Sequence, residues 1–317
     1  MTISLPARLR RDPNSRSGVS LVTLGIPLTL VIVLAIATPR YFLSWENLVN
    51  LSGQMTALLV VALGQLLVAL VAGLDLSVGS LMSLVTCIVS SGAPLATTIP
   101  LAFVTGAIVG LVNGLGTVRF GIHPIVMTLS TMTFLQGVAY LVRPVPGGTI
   151  PSLLTTIASG KTFGIPHSFV WSVVAAAVIA VLLYRTRFGL HLFAVGANPV
   201  SARLNGVASQ RVAISAYVTC SLLAVVAGLF VSARTASGDP AVGTSFGLDS
   251  VAAIALGGAQ LSGGVGGVVG AITGTIALGL VSNGMNLLDV SPFLQSAFKG
   301  VLLIVAISSQ RRSTVGL

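Results

Sequence analysis

The feature that most restricts this chain is a recurrence of apolar runs about 17–25 residues long, the length a helix needs to cross a bilayer. They fall near 19–38, 50–72, 76–93, 100–118, 124–142, 168–184, 212–233, 249–262, 266–283 and 293–309. The eighth is short and Gly-rich. Only 7% of the residues are charged and 54% are hydrophobic, whereas soluble domains carry about 25% charged residues. With a mean hydropathy of +1.02, most of the chain must have lipid as its solvent. The expected fold class is all-α, a polytopic transmembrane helical bundle of about ten spans. The 36 glycines suit close backbone approach between membrane helices.

The basic residues test the orientation. With the N-terminus in the cytoplasm, Arg8, Arg10, Arg11, Arg16, Arg119, Arg185, Arg187, Arg203, Arg211, Arg311 and Arg312 fall inside. Only Arg40, Arg143, Lys161 and Arg234 fall outside, and Lys299 lies within a span. This positive-inside bias predicts both termini in the cytoplasm. It also accounts for the net charge of +10 without nucleic acid, since no basic cluster carries interleaved aromatics. The expected division is a cytoplasmic tail 1–18, a membrane domain 19–310 and a cytoplasmic tail 311–317. The membrane domain carries an outside loop about 143–167, with little regular structure beyond a short helix, and a cytoplasmic segment about 186–211. The apolar run after Arg16 is longer than a signal-peptide core of about 7–15 residues, so it reads as an uncleaved first span. Spans 2–5 and 7–10 begin on opposite sides, as in transporters built from inverted halves. Their sequences show too little similarity to establish a repeat.

The cytoplasmic segment is the most informative soluble stretch. Asn198 suits a helix N-cap, Pro199 the first helical position, and Gly206 the left-handed position that ends a helix. A two-turn helix is expected, with Val200 and Leu204 on one face and Ser201, Arg203 and Asn205 nearby. So short a helix needs the membrane surface or a partner to hold it. Asp75 lies in Gly73-Leu74-Asp75-Leu76-Ser77-Val78-Gly79. It can cap the next helix, with Ser77 as a second cap, or it can be a functional membrane carboxylate. The stretch Leu256–Gly267 contains Gly257, Gly258, Gly263 and Gly264 and is too Gly-rich for an ordinary helix. Its backbone must be buried in protein or line a cavity. Gly160-Lys161-Thr162 imitates a phosphate-binding loop, but Thr155 stands where that motif needs its first Gly.

Polar residues within spans are uncharged. Gln54, Gln65, Asn113, Thr128, Thr131 and Gln136 are candidates to line a substrate pathway, or to hold helices together. Lys299 can pair with a carbonyl or reach outward, or, less in keeping with its setting, contact substrate. Cys87 and Cys220 read as buried apolar residues. No two histidines have metal-ligand spacing.

Four ordered segments resemble the permeases of the ribose/xylose/galactose-type ABC importers, a group that also includes autoinducer and nucleoside permeases. They are Gly73–Gly79, Thr186–Gly189 with Gly196–Gly206, Leu248-Asp249 through Gly270, and Asn283–Leu287 with Ser291-Pro292, Gln295 and Lys299-Gly300. The similarity covers nearly the whole chain past the first span. Departures are Ala197 for a usual Gly, Gln136 where Arg is frequent, and Asp289 where Gly is frequent. The resemblance implies a non-catalytic subunit in the bacterial inner membrane. Two such subunits, alike or different, would form the pathway for a sugar. A cytoplasmic ATPase would hold ATP and Mg and dock at Asn198–Gly206. A periplasmic binding protein would deliver the solute. Asp75, Ser77, Gly79, Asp249 and the four glycines of 257–264 would be structural. An ion-coupled carrier, the rival class, needs an intramembrane carboxylate, and Asp75 lies at a span end.

Overall fold

A computed structural model of the chain describes residues 21–308. The expected tails, with Arg8–Arg16 and Arg311–Arg312, lie outside the described residues. The helices are α1 (Leu21–Ala37), α2 (Pro39–Phe42), α3 (Trp45–Leu70), α4 (Val78–Val89), α5 (Leu95–Val118), α6 (Pro124–Val142), α7 (Ser152–Ser159), α8 (His167–Arg185), α9 (Arg187–Ala197), α10 (Pro199–Leu204), α11 (Ser209–Thr235), α12 (Phe246–Leu256), α13 (Val268–Leu287) and α14 (Pro292–Ser308). A two-stranded hairpin, β1 (Lys161–Thr162) and β2 (Ile165–Pro166), precedes α8. Its turn places Phe163 and Gly164 at φ 51 and 80, as a type I′ hairpin requires. The imitation phosphate loop is therefore a hairpin edge.

Ten apolar helices correspond to the expected spans, but they are not equal. Six (α3, α5, α6, α8, α11 and α13) are long and apolar enough to cross a membrane. Among the described residues the apolar stretches of the others, Gly25–Ala37, Val78–Val89, Phe246–Leu256 and Pro292–Ala306, are shorter. The shortness of α12 agrees with the short eighth run, whereas that of α4 was not expected. α4 and α12, of 12 and 11 residues, are about 16–18 Å long at 1.5 Å per residue. That is about half of a 30 Å hydrocarbon core.

α3 and α11 form the centre. A side chain at Gly53 would meet Arg234, one at Gly64 would meet Cys220, and one at Gly73 would meet Tyr217. The two helices therefore run antiparallel. α5 packs on α11 through glycines at every fourth position: Gly106 against Ser221 and Val225, Gly110 against Val218, Gly114 against Ile214. A methyl group at Gly110 would sit 2.5 Å from Val218 Cα, so only a bare backbone permits this approach. α13 crosses α3 antiparallel, with Gly279 on the Met55 side chain and Gly266, just before the helix, near Leu66. The two four-helix sets, α3–α6 and α11–α14, thus match in order, in relative length and in packing. Each set's second helix is short and packs on the first helix of the other set, α4 on α11 and α12 on α3.

Candidate translocation and coupling site

Between the first and second helix of each set the chain breaks, and the two breaks carry the same sequence pattern. One reads Ala72-Gly73-Leu74-Asp75-Leu76-Ser77-Val78-Gly79 and the other Ala236-Ser237-Gly238-Asp239-Pro240-Ala241-Val242-Gly243. Both open on a left-handed alanine, at φ 60 and 50, a conformation that costs an ordinary residue about 1–2 kcal/mol. In both, the aspartate accepts from the N–H two residues on, Ser77 to Asp75 Oδ1 at 3.0 Å and Ala241 to Asp239 Oδ1 at 2.8 Å. Their last glycines touch: a Cβ on Gly79 would strike the Gly243 carbonyl, and the reverse. Gly247, at the start of α12, rests on the Leu76 carbonyl at 2.8 Å from its would-be Cβ. The N-terminal ends of both short helices therefore meet at one point.

Broken backbone inside a bilayer needs partners from protein, and here side chains provide them. α4 presents hydroxyls about one turn apart. Gly243 N–H donates to Ser83 Oγ at 2.9 Å and Asp239 N–H donates to Thr86 Oγ1 at 3.0 Å. Thr86 donates in turn to the Asp239 carbonyl at 3.0 Å. Gln136 of α6 closes the set, donating to the Pro240 carbonyl at 2.7 Å and accepting from Ser80 at 3.1 Å. On the first break, Gln65 clasps the backbone of Asp75, with its amide donating to the carbonyl at 3.0 Å and accepting from the N–H at 3.1 Å. Asp75 Oδ1 also accepts from Ser77 Oγ (2.6 Å) and Asn113 Nδ2 (3.3 Å), and Asn113 Oδ1 accepts from Thr131 (2.7 Å).

The cytoplasmic segment of the sequence reading lies at the opposite end of the bundle from α7. Asn198 Oδ1 accepts from Val200 N–H at 3.0 Å and Ser201 N–H at 2.9 Å, opening α10. Pro199 takes the first helical position, and Gly206 at φ 81 follows the end. Ala202 is the buried anchor, while Val200 and Leu204 are 64% and 83% exposed. Arg203 is exposed beside them. Thr186 caps α9, accepting from Gly189 N–H at 3.3 Å. α9 brings Gly196 against the Leu70 carbonyl and Gly264. Gly264 N–H donates to the Leu70 carbonyl at 3.0 Å, and Gly263 packs on Ala72. Three segments meet here: the end of α9, the first residues of the Asp75 break, and the glycine loop after α12. Gly258, at φ 84, ends α12, and Gly257 backs onto Gly270 of α13.

Several expectations change. Gln65, Asn113 and Thr128 are buried and bond within the chain: Gln65 and Asn113 hold the first break, and Thr128 donates to the Pro124 carbonyl of its own helix. Thr131, Gln136 and Gln54 are half-buried. Ser77 stands at the N-cap position of α4, yet its hydroxyl donates to Asp75 and caps nothing. Asp75 is fully buried and holds the break through its own turn. Lys299 neither reaches outward nor pairs with a carbonyl: its Nζ lies 3.0 Å from Asp249 Oδ2. Ala197, which stands where the resemblance has a Gly, is the last helical residue of α9. Asp289 sits at φ 54, which Asp tolerates better than most residues. The sequence reading missed Ser80, Ser83, Thr86 and Asp239. The repeated Ala-x-x-Asp-x-small-Val-Gly pattern was the signal that could have found the second break.

Residues 47–307 match the family described as branched-chain amino acid transport system / permease component. The chain belongs to that permease family. The permease is 34% identical over 292 residues to the ribose import permease protein RbsC of Bacillus subtilis, covering 90% of each chain. It is 31% identical over 287 residues to the Haemophilus influenzae RbsC, covering 88% of each. It is 30% identical over 310 residues to the galactose/methyl galactoside import permease protein MglC of Escherichia coli, covering 90% of the permease and 92% of the relative. No solved structure matches it. The matched region contains both breaks, the α9–α10 segment and the Asp249–Lys299 pair.

Proposed function

We propose that the permease forms the translocation pathway of an ATP-driven sugar importer in the bacterial inner membrane. The named relatives import ribose and galactosides, and the substrate proposed here is of that pentose or hexose class. In this reading the chain crosses the membrane ten times with both termini in the cytoplasm. α4 and α12 each complete a crossing together with the irregular segment beside it. A second permease subunit completes the pathway. A periplasmic sugar-binding protein delivers solute at the α7 end, and a cytoplasmic ATPase, which handles ATP and Mg2+, docks at α10.

The observation that carries this reading is the junction at Gly196. A short capped helix exposes Val200, Arg203 and Leu204, and its neighbour α9 abuts both the Asp75 break and the glycine loop. A push on α10 therefore reaches the two segments whose short helices meet at the centre. Nothing between them is a mobile side chain, because Gly196, Gly263 and Gly264 make backbone contact. The experiment is uptake of labelled ribose and galactose in cells expressing the permease with its ATPase and binding protein. Uptake is expected to vanish when the ATPase is removed. Unchanged uptake without it contradicts the proposal.

A further inference from the structure

Among the described residues the permease has one ion pair, Lys299 on α14 with Asp249 on α12 at 3.0 Å. Its depth is fixed by chain geometry. Lys299 is the eighth residue of α14, about 10 Å from its N-terminal end at 1.5 Å per residue. A four-carbon stem does not reach the headgroups from there. Asp249 lies in the first turn of α12, whose start rests on Leu76 beside the contact of the two breaks. The pair therefore sits at mid-depth, next to the meeting point of the short helices.

The pair is also open. The side chains of Lys299 and Asp249 are 24% and 14% exposed, and Ser245 and Ser296, about one turn before each, are exposed. The other side of α14 is apolar, with Val301 58% and Ile304 67% exposed. Charged and hydroxyl groups at mid-depth do not face hydrocarbon when a protein or water-filled face is available. This side of α12 and α14 is the polar side.

We infer that Asp249 and Lys299 form a contact site for the transported polyol on the pathway wall, resting on the importer reading above. The ammonium uses one of its three donors on Asp249 Oδ2, leaving two donors beside the second carboxylate oxygen. Adjacent donors and an acceptor match neighbouring hydroxyls of a sugar. The net charge of the pair is zero, so a neutral solute meets no repulsion and an ionic one gains no advantage.

The test uses the full importer with labelled ribose or galactose as the probe. The exchange Asp249→Lys with Lys299→Asp restores an ion pair but reverses donor and acceptor. A contact site predicts correctly inserted, normally abundant protein with the KM for uptake raised about tenfold or more, the loss of one charge-assisted hydrogen bond. Full recovery of uptake in the exchanged protein assigns the pair to packing and overturns the inference. A second arm keeps the pair intact. Cys87 and Cys220 are buried, so single Ser245→Cys and Ser296→Cys variants can be probed with a charged thiol reagent. Both are expected to react, with the sugar slowing the reaction, while Val301→Cys stays unreactive. No reaction at 245 and 296, or reaction that sugar does not slow, overturns the inference. Absence of any sugar uptake by the unaltered importer would instead count against the parent reading.

Discussion

At Gly79 and Gly243 two backbones occupy the space a side chain needs. The Cβ of an alanine at either position would strike the other's carbonyl, and a carbonyl in a hydrogen-bonded turn cannot step aside as a flexible side chain does. Gly79→Ala is therefore expected to destabilise the permease by about 1–3 kcal/mol, the usual range for overpacking. Gly137→Ala, where nothing lies within 4 Å, is the control and is expected to leave stability unchanged or slightly raised, since Ala favours the helix. Thermal unfolding in detergent distinguishes the two. Equal melting temperatures for Gly79→Ala and the parent would mean that the breaks do not meet as described. Gln136 shows how far chemistry can be read from one residue. Its polarity within a span was plain, but its use was not. It accepts from Ser80 and donates to the Pro240 carbonyl, and only the fold brings α4 and the second break to it. An arginine there could donate to Pro240 but could not accept from Ser80.

Helix α10 was legible because its information is local. A cap acts within three residues, and Asn198, Pro199 and Gly206 each perform the role their chemistry suggests. Asn198→Ala removes the acceptor for two N–H groups and is expected to cost about 1 kcal/mol of local helix stability. The expected readout is weaker ATPase co-purification at unchanged permease abundance, restored by Asn198→Asp. Undiminished binding by the alanine variant would contradict docking at this helix. Its neighbour α9 was not legible. Gly189 and Gly196 weigh against a helix, yet both are there because Leu183, Leu70 and Gly264 press on the backbone. The shortness of α4, unlike that of α12, was hidden for a related reason. Hydropathy counts apolar residues, and Leu74, Leu76 and Val78 carry the apolar pattern through the first break. The breaks are held by hydrogen bonds: Gln65, in the helix just before it, holds the first, while Ser83, Thr86 and Gln136 hold the second from far away in sequence.

For the whole permease, hydropathy revealed a polytopic helical bundle, and the alternation of spans suggested two halves of opposite polarity. Their equivalence emerges from paired observations: antiparallel α3 and α11, the packing of α5 on α11 and of α13 on α3, and two breaks with one pattern. The pairing of Asp249 with Lys299 could not be read in advance, because nothing in the spacing of residues 50 apart sets them side by side. The central claim is that α10 and its exposed face stand in the cytosol while the α7 end faces outward. Thiol labelling of Leu204→Cys and Phe163→Cys in intact cells and in inverted vesicles tests it most directly. Both parent side chains are exposed, at 83% and 100%. An impermeant reagent is expected to modify position 163 only in intact cells and position 204 only in inverted vesicles. Modification of position 204 from the outside, or of both positions from the same side, would contradict the account.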